Sequence, residues 1–96
     1  MNKENKKFSM RLFITGDAPN SRIAKENVRI LKKRLSEYDF HLEIVDVMEN
    51  PDAALEHGIY VTPALQVIKP EPGTLIFGNL SNHNALEKFF PERFNE

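Results

Sequence analysis

Apolar positions along this chain follow two periods, and the switches between them predict the order of the elements. In the stretch from Phe8 to Thr15, the residues Leu12, Phe13 and Ile14 are apolar in succession. A strand with that pattern is covered on both faces and belongs at the centre of a sheet. Helical spacing follows: Ala24, Val28, Leu31 and Leu35 recur at steps of 4, 3 and 4, flanked by Ile23 and Ile30. That stripe predicts a helix from about Pro19 to Glu37. Its opposite side is basic, with Arg22, Lys25, Arg29, Lys32 and Lys33, and Arg34 nearby. After a turn at Tyr38-Asp39-Phe40, alternation returns from His41 to Val47. Strand, long helix and strand make a right-handed crossover, so the two strands are expected to be parallel neighbours.

The second half is punctuated by turn residues. Asn50 as N-cap, Pro51 at the first helical position, Asp52 in the first turn and Gly58 after the last agree on a short helix. Thr62-Pro63 then precedes an alternating run from Ala64 to Lys69. A proline at a strand's first residue deletes a donor and invites a cis peptide, so the Thr62–Pro63 bond is expected to be cis. Pro70-Glu71-Pro72-Gly73 is turn chemistry, and Thr74 to Phe77 reads as a fourth strand. Ser81 is a candidate cap for a last helix carrying Leu86, Phe89, Phe90 and Phe94, which Pro91 ends or kinks.

The resulting order, βαβαββα, predicts an α/β, thioredoxin-like fold: a four-stranded mixed sheet of order 2-1-3-4 with helices on both faces. Residues 1–7 are expected to be a disordered tail, and residues 8–96 a single domain. In that order the second strand is an edge, with unpaired backbone groups over His41, Leu42, Glu43, Ile44 and Val45. An edge must be protected or used, and addition of a partner strand is its commonest use.

Composition narrows the function. The chain has 96 residues, 41% hydrophobic and 28% charged, with a net charge of -1. That balance suits a soluble domain and gives no general attraction to nucleic acid or to an anionic membrane. The absence of cysteine excludes thiol catalysis, disulfides and cysteine-ligated metals. The charged stretch Met1–Lys7 has no apolar run behind it, and no run approaches the roughly 20 residues of a membrane span. The expectation is a cytoplasmic, non-enzymatic domain without a cofactor.

Candidate chemistry is sparse. Where thioredoxins carry Cys-x-x-Cys, this chain has Ala18-Pro19-Asn20-Ser21. Asn20 and Ser21 are expected to cap the helix, with glutathione binding by Ser21 as the rival reading. Asp17 and Asp46 stand at the carboxyl ends of adjacent parallel strands near Glu49, where open sheets bind ligands. Turn and capping roles outweigh cation binding there. His41, His57 and His83 stand alone, which argues against a metal site.

Four stretches occur in order: Arg11-Leu12-Phe13-Ile14-Thr15-Gly16 with Pro19-Asn20-Ser21, Ile44-Val45-Asp46-Val47 with Asn50-Pro51, Thr62-Pro63-Ala64-Leu65, and Gly78-Asn79-Leu80-Ser81. Together they resemble the KaiB family of bacterial clock proteins, and the sensor domain of the clock-associated histidine kinase is a structural neighbour. The resemblance implies a regulator that binds KaiC, a hexameric ATPase and autokinase, and in some systems captures KaiA. It places the ATPase-binding region over Asn50, Pro51, Asp52, Leu55, Glu56, His57, Gly58, Ile59 and Tyr60, and leaves the edge strand for a second protein. It also implies two arrangements of the second half: a thioredoxin-like one that binds the ATPase as monomer or dimer, and a βαββααβ one that forms tetramers. This chain departs from the clock members at Glu43, at His57-Gly58, in the turn Pro70–Thr74, and at Phe89 and Pro91. Pro91 would interrupt a C-terminal strand, so the thioredoxin-like arrangement is the expected one.

Overall fold

The computed structural model of the chain describes residues 7–82. The expected last helix lies outside that range, as do residues 1–6 of the expected tail. Four strands and two helices run β1 (Lys7–Ile14), α1 (Pro19–Arg34), β2 (Asp39–Asp46), α2 (Pro51–Glu56), β3 (Ala64–Lys69) and β4 (Thr74–Phe77). The sheet order is β2-β1-β3-β4, as the pattern predicted. β1 pairs in parallel with β2 (Leu12 beside Ile44) and antiparallel with β3 (Leu12 beside Leu65); β3 pairs antiparallel with β4.

Boundaries differ from expectation at both ends of β1 and β2, whose last residues are Ile14 and Asp46, and at the end of α1. Lys7 already belongs to β1, and β2 begins at Asp39 because Lys7 and Phe8 pair with Asp39 and Phe40. α1 stops at Arg34, where Leu35 takes φ -103° and Tyr38 N–H donates to the Leu35 carbonyl at 3.0 Å. Leu35 keeps its place in the apolar stripe without being helical, which is why periodicity extended the helix too far.

Alternation along β1 sends its side chains to two cores. Phe8, Met10, Leu12 and Ile14 pack with Ala24, Val28, Leu31 and Leu35 from α1 and its end, together with Leu65 and Val67. Tyr38 closes this core with an edge-on contact to Phe8, ring centroids 5.2 Å apart. Phe13 faces the other way and joins Val45, Ala54, Ile59 and Ala64 under α2. The two helices therefore cover opposite faces of one sheet. The Thr62–Pro63 peptide is cis as expected; Lys69–Pro70 and Glu71–Pro72 are cis as well.

Candidate partner-docking surface

The turn that delivers α2 is held by one carboxylate. Asp46 Oδ1 accepts hydrogen bonds from the Gly16 and Met48 amides, both at 3.0 Å, so it ties the end of β2 to the end of β1. Asp17 is exposed, and among the described residues no three potential metal ligands converge. Asn50 sits at the N-cap with φ -143°, and Pro51 opens the helix, but the Asn50 side chain makes no capping bond.

The exit from α2 is a Schellman turn. Gly58, at φ +69°, donates to the Leu55 carbonyl at 3.1 Å, while Ile59 N–H reaches the Ala54 carbonyl at 2.8 Å. The apolar contact that accompanies this motif is present, because Ala54 and Ile59 share the core beneath the helix. Fixing those two residues inward decides what faces outward. Leu55 is 66% exposed, Tyr60 83%, Val61 57% and Met48 70%. Asn50, Pro51, Asp52, Glu56, His57 and Gly58 are exposed beside them. Ile59, expected in the docking region, is buried and anchors the loop instead. Met48 and Val61 were not anticipated. The only local signal is that each lies close to an apolar residue that the fold turns inward, Met48 next to Val47 and Val61 two residues after Ile59.

Among the described residues β2 is the edge strand, as expected, hydrogen-bonded to β1 alone. His41, Glu43 and Ile44 are exposed and Leu42 is half-buried, whereas Val45 turns into the core under α2. The edge thus offers its backbone and three or four side chains, without Val45. Glu43 is held by Arg11, whose Nε donates to Oε1 at 2.9 Å; another Arg11 nitrogen donates to Gln66 Oε1 at 2.9 Å. The Arg11 hydrogen bond, with smaller charge effects from Arg11, His41 and His57, holds the Glu43 carboxyl below the usual glutamate range. His57 lies over this cluster, its Nδ1 3.5 Å from Arg11 and its ring 5.7 Å from that of Phe13.

Ser21 does not cap α1. The N-cap is Ala18 and makes no side-chain bond; Ser21 is 1% exposed, and its Oγ accepts the Thr15 amide at 2.9 Å. Asn20 does not cap either: its Oδ1 accepts from Asn79 Nδ2 at 3.0 Å, which ties α1 to the segment after β4. The Thr15 and Thr62 hydroxyls hydrogen-bond to each other at the start of β3.

The KaiB domain family model matches residues 11–91. A circadian clock oscillator protein KaiB of Nostoc sp. is 34% identical over 86 residues, covering 90% of this chain and 80% of that protein. Its counterpart from Picosynechococcus sp. is 38% identical over 92 residues, covering 90% and 83%. Among solved structures, Fasciola hepatica thioredoxin aligns with a TM-score of 0.69 at 20% identity, covering 92% of this chain and 82% of that one. The N-terminal domain of Synechococcus elongatus SasA aligns with a TM-score of 0.64 at 20% identity, covering 91% and 86%. These two likenesses establish the thioredoxin-like fold, and the sequence relationships establish the lineage: the chain belongs to the KaiB family.

Proposed function

We propose that this protein is a non-enzymatic clock-type regulator that docks on a KaiC-type hexameric ATPase through α2 and the loop that follows it. The observation that carries this reading is the outward apolar set formed by Leu55 on α2, Met48 in the turn before it, and Tyr60 and Val61 in the loop after its Schellman turn. Large apolar side chains held in the open by a rigid scaffold are what a protein interface uses as anchors. Family membership supplies the class of partner. β2 remains available for a second protein, its outer backbone groups unpaired among the described strands. The rival, glutathione binding at Ser21, finds no support, because the hydroxyl is buried and already engaged by the Thr15 amide.

The test is co-elution of the full chain with a KaiC homologue, followed by affinity measurement on the Leu55→Ala/Tyr60→Ala variant. Both side chains are exposed, so the variant keeps its thermal midpoint, while affinity falls by at least about tenfold. Absence of binding by the unaltered chain, or equal binding by the variant, overturns the proposal.

A further inference from the structure

On the opposite side of the sheet from α2, the outer surface of α1 carries a stripe of cations. Arg22, Arg29, Lys32 and Lys33 are exposed and Lys25 is half-buried, at steps of 3, 4, 3 and 1 along the helix. At 1.5 Å per residue the stripe is about 16 Å long. Arg29 is committed to Glu26, at 2.6 and 3.1 Å. Arg22, Lys25, Lys32 and Lys33 form no ion pair with any described carboxylate.

Helix electrostatics account for only half of this. Lys32 and Lys33, in the last turn, face the negative end of the dipole and are favourable there. Arg22 is near the positive end, in a helix whose first turn has no acidic residue, and there a cation is unfavourable. The stripe therefore continues past the point where intrahelical electrostatics would support it. Beside it lie Ile23, 42% exposed, and Ile30, 37% exposed, seven residues apart and so on one side of the helix. A groove of about 360 Å³ opens there, lined by Pro19, Arg22, Ile23, Glu26, Asn27 and Ser81.

We propose that this face of α1 is a second docking surface, fitted to an acidic segment of a partner protein that places an apolar side chain in the groove beside Ile23. Its carboxylates meet Arg22, Lys25, Lys32 and Lys33, none of which forms an ion pair with a described carboxylate, Lys33 adding only a weaker charge effect on Glu26. Nucleic acid fits less well: α1 has no aromatic residue to stack a base, and the chain's net charge of -1 gives no broad positive field. A bilayer fits less well too, since two partly exposed isoleucines without an aromatic anchor insert little apolar area.

The probe is a synthetic peptide of about 16 residues, rich in glutamate with leucine at every fourth position, long enough to follow the stripe. It is titrated into the full ¹⁵N-labelled chain. Expected are saturable amide shifts confined to α1 and the Asn79–Ser81 segment, weakened by salt. Neutralisation in Lys32→Gln/Lys33→Gln, or loss of the groove wall in Ile23→Ser, lowers affinity by about tenfold. Co-elution with a KaiC homologue is unchanged in both variants, so this surface and the α2 surface stand or fall separately. Unsaturable binding, shifts centred on α2, or tighter binding to duplex DNA or to phosphatidylglycerol vesicles overturns the proposal.

Discussion

Single residues at the joint between β1 and α1 do more than their sequence positions suggest. Ser21 is the third residue of α1, past the N-cap position where serine ordinarily caps. Here its buried hydroxyl instead satisfies the Thr15 amide. Ser21→Ala leaves that partly buried amide without its acceptor, which costs about 1–3 kcal/mol. Urea unfolding measures it, and an unchanged midpoint would show that solvent replaces the hydroxyl. The local pattern could not reveal this role, because it depends on where β1 ends in space relative to the first turn of α1. Glu43 behaves in the opposite way: its place on an alternating strand was legible, but its pairing with Arg11 needed the register of β1 against β2. Its folded pKa is depressed, so its contribution is present above the unfolded value and is lost as pH falls through the folded one. The side chain is exposed and the gain in stability is small. The informative readout is the carboxyl ¹³C shift of Glu43, which titrates at lower pH than an ordinary glutamate; Arg11→Gln returns it to the ordinary range.

Elements were legible where several local signals coincided. α2 is the clearest case, since N-cap position, Pro51, Asp52 and Gly58 all point to the same six-residue helix. What the pattern could not distribute was the run Ile59-Tyr60-Val61, in which one apolar residue is core and two are surface. The Schellman turn decides that, by bringing Ile59 back over Ala54. The β3–β4 hairpin shows a similar division. Pro70-Glu71-Pro72-Gly73 announced a turn, while the requirement at Gly73 is visible only in space: φ is +84°, and a Cβ there would lie 2.6 Å from the Val67 carbonyl oxygen. Both the conformation and the contact oppose a side chain, so Gly73→Ala is expected to destabilise by about 1–3 kcal/mol. Gly58→Ala meets nothing within 4 Å at φ +69° and retains only the conformational part, about 1 kcal/mol. Thermal melts of the two variants side by side test this ranking, and a larger loss at Gly58 would refute it.

At the scale of the molecule, β3, like β1, contributes side chains to both cores. Leu65 and Val67 close the core under α1, and Ala64 closes the one under α2, all three at or below 2% exposure. Among the described strands, β3 alone links β4 to β1. The alternative arrangement implied by the KaiB resemblance re-folds the chain from about residue 50 onward, so it would have to withdraw β3 from that position. Withdrawal would take Leu65 and Val67 from one core and Ala64 from the other, so both would lose packing together. Any passage between arrangements in this chain is therefore expected to be a single cooperative opening, whose population a binding partner shifts in proportion to its preference for one state. Native-state hydrogen exchange distinguishes the two behaviours. In the cooperative case the amides of β1 and β3 exchange with one common opening free energy and one denaturant dependence, separate from those of α2. If β3 amides exchange through an opening that leaves β1 protected, the two cores are energetically separable. The second half could then rearrange on a first half that stays folded.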